Sequence, residues 1–299
     1  MQLCWLVKEK LTVFNLQPKK SKNLLKKSKN QPKKNQESAV DIQSSAQKIQ
    51  ETAVDVQTSA QKTIDEVLKD FIGVEPLKNG TKVIEKLGDD GKTLISKSTL
   101  DDNYLTIDNF VEKTRIEAQN DKLTDFYSGV EFSNCDIKKA QEHFCFTDGR
   151  LKEFLKGSEF IDNNLAKAEE RFKFYEDEFY YYQKGIESRT NDSEKAEECF
   201  EFYNDELRYY QKGIESRTDG LEKVEERFCF CEDELDHYQK GSEFYTDGSE
   251  KAEESFDFCD GKLFSYENGS EICADGSEKM KEYWLTTEKG KLRKIDNWH

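Results

Sequence analysis

The stretch AEERFKFYEDEFYYYQKGIE, residues 168–187, decides the fold of this chain because it recurs along the chain with a fixed period. A constant period of this kind is typical of a repeat array, in which each unit packs mainly against its neighbours. The positions that match Phe172 in other units hold Phe144, Phe200, Phe228 and Phe256 and, less closely, Ile116 and Trp284. The positions that match Gly185 hold Gly129, Gly157, Gly213, Gly241 and Gly269.

The repeat unit has two interpretations, a helix or a hairpin of strands. Apolar residues step by three and four across 165–182, as on one face of a helix, with serine before the unit and glycine after it. Aromatic residues also alternate within the unit, and a turn would then fall at Glu176 and Asp177. Two sister units favour the hairpin, because Asp-Gly there is a hairpin-turn signal and would cost a helix about 1 kcal/mol. Those dipeptides are Asp148-Gly149 and Asp260-Gly261.

The predicted fold class is mainly β, with an elongated antiparallel array of 28-residue β-hairpin repeats over residues 77–299. Each unit is expected to be a strand, a two-residue turn and a longer strand, with Gly185 as a bulge or bend in the second strand. Thr-Asp-Gly segments around Asp219 and Asp247 turn the chain into the next unit. A first hairpin is predicted over residues 83–98.

The segment 1–36 differs in charge from the rest of the chain. Its ten lysines against Glu9 give it a charge of +9, so the net charge of −16 leaves −25 on the remainder. The run of lysine, asparagine and glutamine over residues 17–36 predicts a disordered linker, and residues 1–36 together are predicted to be a basic disordered N-terminal segment. The apolar start, residues 1–7, lacks a basic leader, which argues against a secretory signal, and no long apolar run predicts a membrane span. The acidic body argues against nucleic-acid binding by the repeats.

Residues 37–73 predict one amphipathic or coiled-coil helix before the array. A shorter repeat, two heptads long, brings AVDIQSSAQK (39–48) back as AVDVQTSAQK (53–62) and places two sets of residues on one seam. The sets are Ala39, Ala46, Ala53, Ala60 and Val67 on one side, and Ile42, Ile49, Val56 and Thr63 on the other. The seam needs a partner, and three remain open: another copy of the chain, a different protein, or the chain's own array.

Three charged positions also recur in the array. The first position holds Glu187, Glu131, Glu159, Glu215, Glu243 and Glu271. The second holds Lys167, Lys139, Lys195, Lys223, Lys251 and Lys279. The third holds Glu170, Glu142, Glu198, Glu226, Glu254 and Glu282. They form either a charged ribbon for a partner or a ladder of cross-strand Lys–Glu pairs, and we favour the ladder.

The sequence predicts no catalytic, cofactor-binding or metal-binding residues, and therefore no enzyme and no cofactor. The histidines are His143, His237 and His299, and none has a metal-ligand spacing such as HExxH. The eight cysteines do not all recur at one repeat position and include no CxxC pair, so reduced thiols are expected. Cys229 and Cys231 are expected to share one strand face but lack further ligands.

The hairpin units resemble variant MORN repeats. The chain is also similar to the subunit 7 family of the dynein regulatory complex, in the family's central β region. This resemblance covers residues 77–295 and rests on the segments Lys78–Ile84 (KNGTKVI), Gly91–Thr99 (GKTLISKST) and Arg171–Tyr182 (RFKFYEDEFYYY). The family's papain- or transglutaminase-like domain and its long coiled coil have no counterpart among these residues.

The resemblance implies a structural role in the nexin link of the ciliary axoneme, with axonemal linker subunits as protein partners. The expected location is the cytoplasm and its cytoskeleton, at the cilium or flagellum. The basic residues Lys19–Lys34 are a candidate contact for acidic tubulin tails. The alternative hypothesis is a peripheral membrane scaffold anchored by the basic-hydrophobic residues Met1–Lys34. Membrane contact is expected through the N-terminus alone, and nucleic acid is not an expected partner.

Overall fold

A computed structural model gives the fold. It describes residues 19–133, 136–162, 164–188, 193–232, 234–287, 290 and 292–295, with helix side chains from Ser38 onward except Ala39. These described residues form one α-helix, α1 (Lys19–Asp70), and a single sheet of 19 strands. The prediction of a mainly β hairpin array preceded by one helix is therefore confirmed.

The strands follow one another along the described chain from Lys82 to Lys294. In order they are β1 Lys82–Leu87, β2 Leu94–Asp101, β3 Tyr104–Asn109, β4 Thr114–Gln119, β5 Lys122–Ser128, β6 Glu131–Ser133, β7 Asp136–Thr147, β8 Arg150–Ile161, β9 Asn164–Tyr175, β10 Glu178–Ser188, β11 Glu194–Tyr203, β12 Glu206–Ser216, β13 Glu222–Cys231, β14 Glu234–Phe244, β15 Glu250–Cys259, β16 Lys262–Ile272, β17 Glu278–Lys279, β18 Glu282–Thr286 and β19 Leu292–Lys294. The predicted first hairpin is β1 with β2.

The sheet is a continuous antiparallel meander, because nearly every strand pairs with the next one in sequence. The short strands β6 and β17 share β7 and β16, respectively, with their neighbours β5 and β18. One row of cross-strand partners runs through the array, and we call it the aromatic ladder. Its members are Ile116, Phe126, Phe144, Phe154, Phe172, Tyr182, Phe200, Tyr210, Phe228, Tyr238, Phe256, Tyr266 and Trp284. Neighbouring rings from Phe126 to Tyr266 lie 4.6–6.3 Å apart between centroids.

The two-residue turns are those that the sister units predict. Glu176 and Asp177 both have positive φ angles, of 49° and 68°, between the paired residues Tyr175 and Glu178. Positive φ at both central positions is the conformation that Asp-Gly favours in a hairpin. The dipeptides Asp148-Gly149 and Asp260-Gly261 adopt it as well.

Of the two forms predicted for Gly185, a bulge or a bend, the bulge is absent. Lys184 pairs with Glu198 and Glu187 with Lys195, so the register passes the glycine unchanged. The bulge lies earlier in β10, between Phe179 and Tyr181. Gly185 is needed because its φ angle is 63° and a Cβ atom would lie 2.5 Å from Cγ of Glu197, so the site has no space for a side chain.

Helix α1 packs its predicted seam on the chain's own array. Ala46, Ala53 and Ala60 are buried in one core with the aromatic ladder, and Ile64 of the same helix is fully buried. Small alanine side chains allow the helix backbone to lie close to the aromatic rings. Among the described side chains the seam therefore faces the sheet, and a coiled coil is not what the helix forms there.

Glutamines of α1 bind four successive hairpin turns, and the first three of them are spaced by one heptad. Their side-chain amides donate to backbone carbonyl oxygens at 2.5–2.9 Å. The donor and acceptor pairs are Gln43–Asp205, Gln50–Asp177, Gln57–Gly149 and Gln61–Asp121. One heptad of helix rises about 10.5 Å and two strands span about 9.6 Å, so the heptad matches the hairpin repeat from Gln43 to Gln57. The step from Gln57 to Gln61 is shorter, at four residues.

The helix begins at Lys19, so the prediction of disorder over residues 17–36 is wrong from residue 19 onward. Lysine and leucine have good helix propensity, and a helix nucleated by packing gains one hydrogen bond for each residue added. Pro32 lies inside the helix although it lacks a backbone N–H. Residues 1–18 lie outside the described part of the chain.

Candidate functional site

The recurring charged residues form a ladder of paired charges across the sheet. We call it the outer charge ladder, and in spatial order it comprises Glu131, Lys139, Glu159, Lys167, Glu187, Lys195, Glu215, Lys223, Glu243, Lys251, Glu271 and Lys279. Five of its Lys–Glu pairs lie 2.6–3.7 Å apart between Nζ and Oε. The favoured interpretation, cross-strand pairing, is confirmed, and the side chains remain largely exposed.

A second ladder runs parallel to the first. We call it the inner charge ladder, and it comprises Glu142, Lys156, Glu170, Lys184, Glu198, Lys212, Glu226, Lys240, Glu254, Asn268 and Glu282. Tyrosines of the aromatic ladder donate hydrogen bonds to its carboxylates, for example Tyr182 to Glu170 at 2.9 Å and Tyr210 to Glu198 at 2.8 Å. The inner ladder therefore borders the core.

A groove of about 620 Å³ lies along the row of positive-φ glycines. Gly157, Gly185 and Gly213 line it together with the glutamate side chains that lie over them, such as Glu197 over Gly185. Members of the outer charge ladder, such as Lys167 and Lys195, also line it. The groove therefore repeats the same chemistry at intervals of two strands.

The strands curl at this glycine row. Gln183 pairs with Cys199 across the sheet, yet its side-chain amide donates to Glu194, at the start of β11, at 2.9 Å. A straight strand would place Cys199 and Glu194 about 17 Å apart. The curl brings the strand ends over the sheet face opposite the aromatic ladder, which explains why polar side chains such as Arg171 and Gln211 are buried there.

Polar clusters recur on that opposite face at three positions of each unit, which we call the triplet positions. One position lies on the second strand of a hairpin, as Glu153 does on β8. The other two lie two residues apart on the next strand, as Arg171 and Lys173 do on β9. Side chains of consecutive strand residues point to opposite faces, so these positions alternate with the aromatic ladder. In this unit they hold the ion pair Glu153–Arg171, with 3.2 Å between Oε1 and Nε.

The first histidine cluster occupies the triplet positions as Asp125, His143 and Cys145. Nε2 of His143 lies 2.9 Å from Oδ1 of Asp125 and 3.2 Å from Sγ of Cys145. The imidazole is buried and stacks on the ring of Tyr127, with 3.9 Å between centroids, while the edge of Phe160 contacts it. The two aromatic rings therefore hold the imidazole in place beside its two polar neighbours.

The first cluster is electron-rich and is not arranged to activate the thiol. Burial, then the carboxylates of Asp125 and Glu153, raise the pKa of Cys145 well above its ordinary value. A nucleophilic cysteine needs a base at Nε2 and a carboxylate at Nδ1. Here Asp125 contacts the same Nε2 that faces Sγ, so the carboxylate and the thiol share one ring nitrogen instead of lying on opposite nitrogens. Nδ1 lies farther from Sγ, at 4.0 Å.

The second histidine cluster holds His237, Ser255 and Asp257 at the same triplet positions, four units later. Nδ1 of His237 lies 2.6 Å from Oδ1 of Asp257, and Nε2 lies 3.4 Å from Oγ of Ser255. Ser265 donates a further hydrogen bond to Asp257. Burial raises the pKa of Asp257, but hydrogen bonds from His237 and Ser265 outweigh burial and leave the pKa lowered.

The second cluster has the connectivity of a Ser-His-Asp triad without its surroundings. An acyl-transfer site needs an accessible serine and N–H donors aimed at a developing oxyanion. Ser255 is 5% exposed, and it pairs in the middle of the sheet with Gln239 and Glu267 on either side. We interpret this cluster as a buried hydrogen-bond network. That the chain is not an enzyme stays a prediction.

The sequence did not predict either cluster. Asp125 lies far from His143 along the chain, and the spacing of these ligand types matches no local motif. Their proximity follows from the hairpin register. Along the sequence, successive members of the aromatic ladder are separated alternately by a short and a long stretch, as from Phe172 to Tyr182 and from Tyr182 to Phe200. With the position of the turn known, that register could have predicted which residues of neighbouring strands lie together in a cluster.

The cysteines follow the expectation of free thiols where the structure describes them. Cys145, Cys199, Cys229, Cys231, Cys259 and Cys273 are free. Cys4, Cys135 and His299 lie outside the described residues. A bulge separates Cys229 from Phe230 and Cys231, and burial raises the pKa of Cys229 to about 11.

Comparisons with known proteins add little. No protein-family model matches the chain, and no curated protein matches it. A solved structure of a mutant TCP10 domain of CPAP from Danio rerio is similar to it, with 13% identity and a TM-score of 0.21. The match covers 75% of this chain and 99% of that one, and a TM-score of this size does not establish a shared fold. The described helix α1 lacks an apolar stretch long enough to cross a membrane.

Proposed function

We propose that this chain is a structural scaffold that docks protein partners along the glycine-row groove and the outer charge ladder. The observation that carries this proposal is the regularity of that surface. The same lysine, glutamate and glycine recur at every second strand over most of a meander on the order of 75 Å long. A rigid, periodic surface of this kind suits holding partners in a fixed register.

The surface favours an extended protein segment as its partner. The floor of the groove combines glycine backbone with the carboxylates that lie over it, those of Glu169, Glu197 and Glu225, and these suit a basic extended segment. Alternating charges on the edge of the groove select a register through complementary charges. Each exposed pair contributes about 0–1 kcal/mol, so binding would depend on many contacts together. The acidic body attracts basic segments at long range, and it repels nucleic acid.

The finer assignment, a subunit of the axonemal nexin–dynein regulatory complex, rests on the sequence resemblance over residues 77–295 alone. Under it, the groove would hold linker subunits and the helical lysines of 19–34 would contact acidic tubulin tails. Fractionation of motile cilia with tagged protein tests it. Recovery in the salt-extracted axoneme fraction is expected, and absence from axonemes would remove this assignment without affecting the scaffold.

Charge reversal tests the docking surface. Replacing three outer-ladder lysines by glutamate should abolish most co-purification of partners with the tagged full chain. The matched control reverses three exposed lysines of the inner charge ladder and should keep the partners. The test variant is Lys167→Glu, Lys195→Glu and Lys223→Glu, and the control is Lys184→Glu, Lys212→Glu and Lys240→Glu. Equal loss in both variants, with both folded by circular dichroism, would refute the groove as the site.

Liposome flotation distinguishes the protein-docking scaffold from the alternative, a membrane-associated scaffold. The full chain and a chain without residues 1–36 are floated with vesicles of anionic and of neutral lipids. The scaffold proposal expects both chains to remain unbound at physiological salt. Salt-sensitive binding to anionic vesicles that the deletion abolishes would favour the membrane alternative.

A further inference from the structure

We propose that Asp125, His143 and Cys145 form a binding site for a divalent transition-metal ion of the zinc type. This inference goes beyond the scaffold function and does not depend on it. Among the residues that the structure describes, these three are the one group of three or more His, Cys, Asp and Glu with ligand atoms within 4.8 Å of one another.

The donor set indicates the class of ion. One imidazole nitrogen, one thiolate and one carboxylate suit Zn²⁺ or Co²⁺, whereas Mg²⁺ and Ca²⁺ prefer oxygen ligands alone. Three protein ligands leave the fourth tetrahedral position to water. Binding would displace the thiol proton of Cys145, and neutral His143 would bind through Nε2 with its proton on Nδ1, so each ion bound releases one proton to solvent.

The distances are close to those that such an ion requires. Tetrahedral zinc places its nitrogen and sulfur ligands about 3.5 Å apart, and nitrogen and oxygen about 3.3 Å apart. The corresponding distances are 3.2 Å from His143 to Cys145 and 2.9 Å from His143 to Asp125. These two distances would need to lengthen by a few tenths of an ångström, and the third pair of ligand atoms, of Asp125 and Cys145, lies within 4.8 Å.

The surroundings favour a cation. Oε2 of Glu153 lies 4.0 Å from Sγ of Cys145, so two carboxylates and a thiol share one small region. Of the nearby positive groups, Lys152 is exposed and Arg171 is engaged with Glu153. Stacking on Tyr127 holds the imidazole in place, as supporting groups do around metal-bound histidines.

Other units provide an internal comparison. Cys229 occupies the same repeat position as Cys145, three units later, but the residue two positions before it is Arg227 instead of histidine. The guanidinium of Arg227 stacks on Tyr209 and Phe244. A thiol is thus present in the same frame without the nitrogen ligand, which makes Cys229→Ser a matched control.

The test is a titration of the reduced full chain with Co²⁺, followed by competition with Zn²⁺. We expect one tight site with a thiolate-to-cobalt charge-transfer band and tetrahedral visible bands, which Zn²⁺ removes. Cys145→Ser should abolish the charge-transfer band, and His143→Gln and Asp125→Asn should each weaken affinity at least about 10–100-fold. Cys229→Ser should leave the spectrum and the affinity unchanged.

Two results would overturn the proposal. One is a full chain that shows no charge-transfer band at millimolar Co²⁺. The other is a band that persists in Cys145→Ser and disappears in Cys229→Ser or Cys231→Ser, which would assign binding to adventitious thiols. Circular dichroism of each metal-free variant checks folding, and Asp125→Asn, whose side chain is a quarter exposed, serves if a core variant does not fold.

Discussion

The two histidine clusters occupy the same three positions of the repeat, four units apart, yet they differ in chemistry. One combines a carboxylate, an imidazole and a thiol around a single nitrogen, Nε2 of His143. The other is a chain of hydrogen bonds that uses both nitrogens of His237. Both clusters share the hairpin register, a positive-φ glycine and the aromatic ladder, although the second strand is divided into β5 and β6 beside the first cluster and is the continuous β14 beside the second. The repeat therefore supplies a common frame, and the triplet positions vary within it.

The largest expected effect tests the frame. Phe144→Ala and Phe256→Ala each remove a buried ring of the aromatic ladder, one beside each cluster. Each should lower the free energy of unfolding of the surrounding strands by about 3–5 kcal/mol, because a core cavity remains. Hydrogen exchange of those strands measures the loss unit by unit. A cluster whose strands tolerate the substitution would show that the frame is not shared.

The glycine row provides the next test. Gly157→Ala and Gly241→Ala place a Cβ atom 2.6 and 2.7 Å from the glutamate carbons that cover them, at φ angles of 60° and 61°. Each should cost more than about 1–2 kcal/mol, which is the left-handed strain alone. Urea unfolding should give similar losses for both. A loss confined to one unit would contradict the constant frame.

Substitutions of the two histidines should differ in their cost to stability, unlike substitutions of the shared frame. In a metal-free buffer with chelator, His143→Gln should cost about 1–3 kcal/mol, because it removes a buried, stacked ring that is bonded to Asp125. His237→Gln should cost less, because its side chain is 26% exposed. Chemical unfolding of both variants measures this, and the opposite order would contradict our account of the two clusters.

The smallest effect is a pH dependence in the second cluster. Because the folded-state pKa of Asp257 lies below its unfolded value of about 3.9, its stabilisation is present above that value and is lost as pH falls through the folded value. Asp257→Asn should therefore destabilise the protein at pH 7, by less than about 1 kcal/mol after solvent screening. The difference from wild type should shrink towards pH 3. A stability difference between Asp257→Asn and wild type that grows as the pH falls would contradict the lowered pKa of Asp257.

Much of the frame was predictable from the sequence, and the sites were not. The period, the turn at 176–177 and the charge pairing all follow from comparing units, because each is a property of neighbouring strands. The sequence left Gly185 open between a bulge and a bend, because it shows that a glycine is needed but not that Glu197 covers it. The helix over 19–36 was missed because like charges suggested disorder, whereas helix growth from a packed segment depends on tertiary contacts.

The clusters could not be predicted because they combine residues from different units through the register of the sheet. Asp125 and His143 are distant in sequence, and neither stands in a recognised motif. Burial on that face also depends on the curl at the glycine row, which a linear pattern does not reveal. Knowing the alternating short and long steps between ladder partners, one can now identify triplet positions in any similar array from its sequence.

The most direct test of the central claim, that one frame carries a cation site in one unit and a hydrogen-bond network in another, is anomalous diffraction at the zinc edge. Crystals of the reduced full chain with one equivalent of Zn²⁺ are required. We predict a single peak between Asp125, His143 and Cys145 and none at His237. No peak at the first cluster, or a peak at the exposed thiols of Cys231 or Cys259, would contradict the claim.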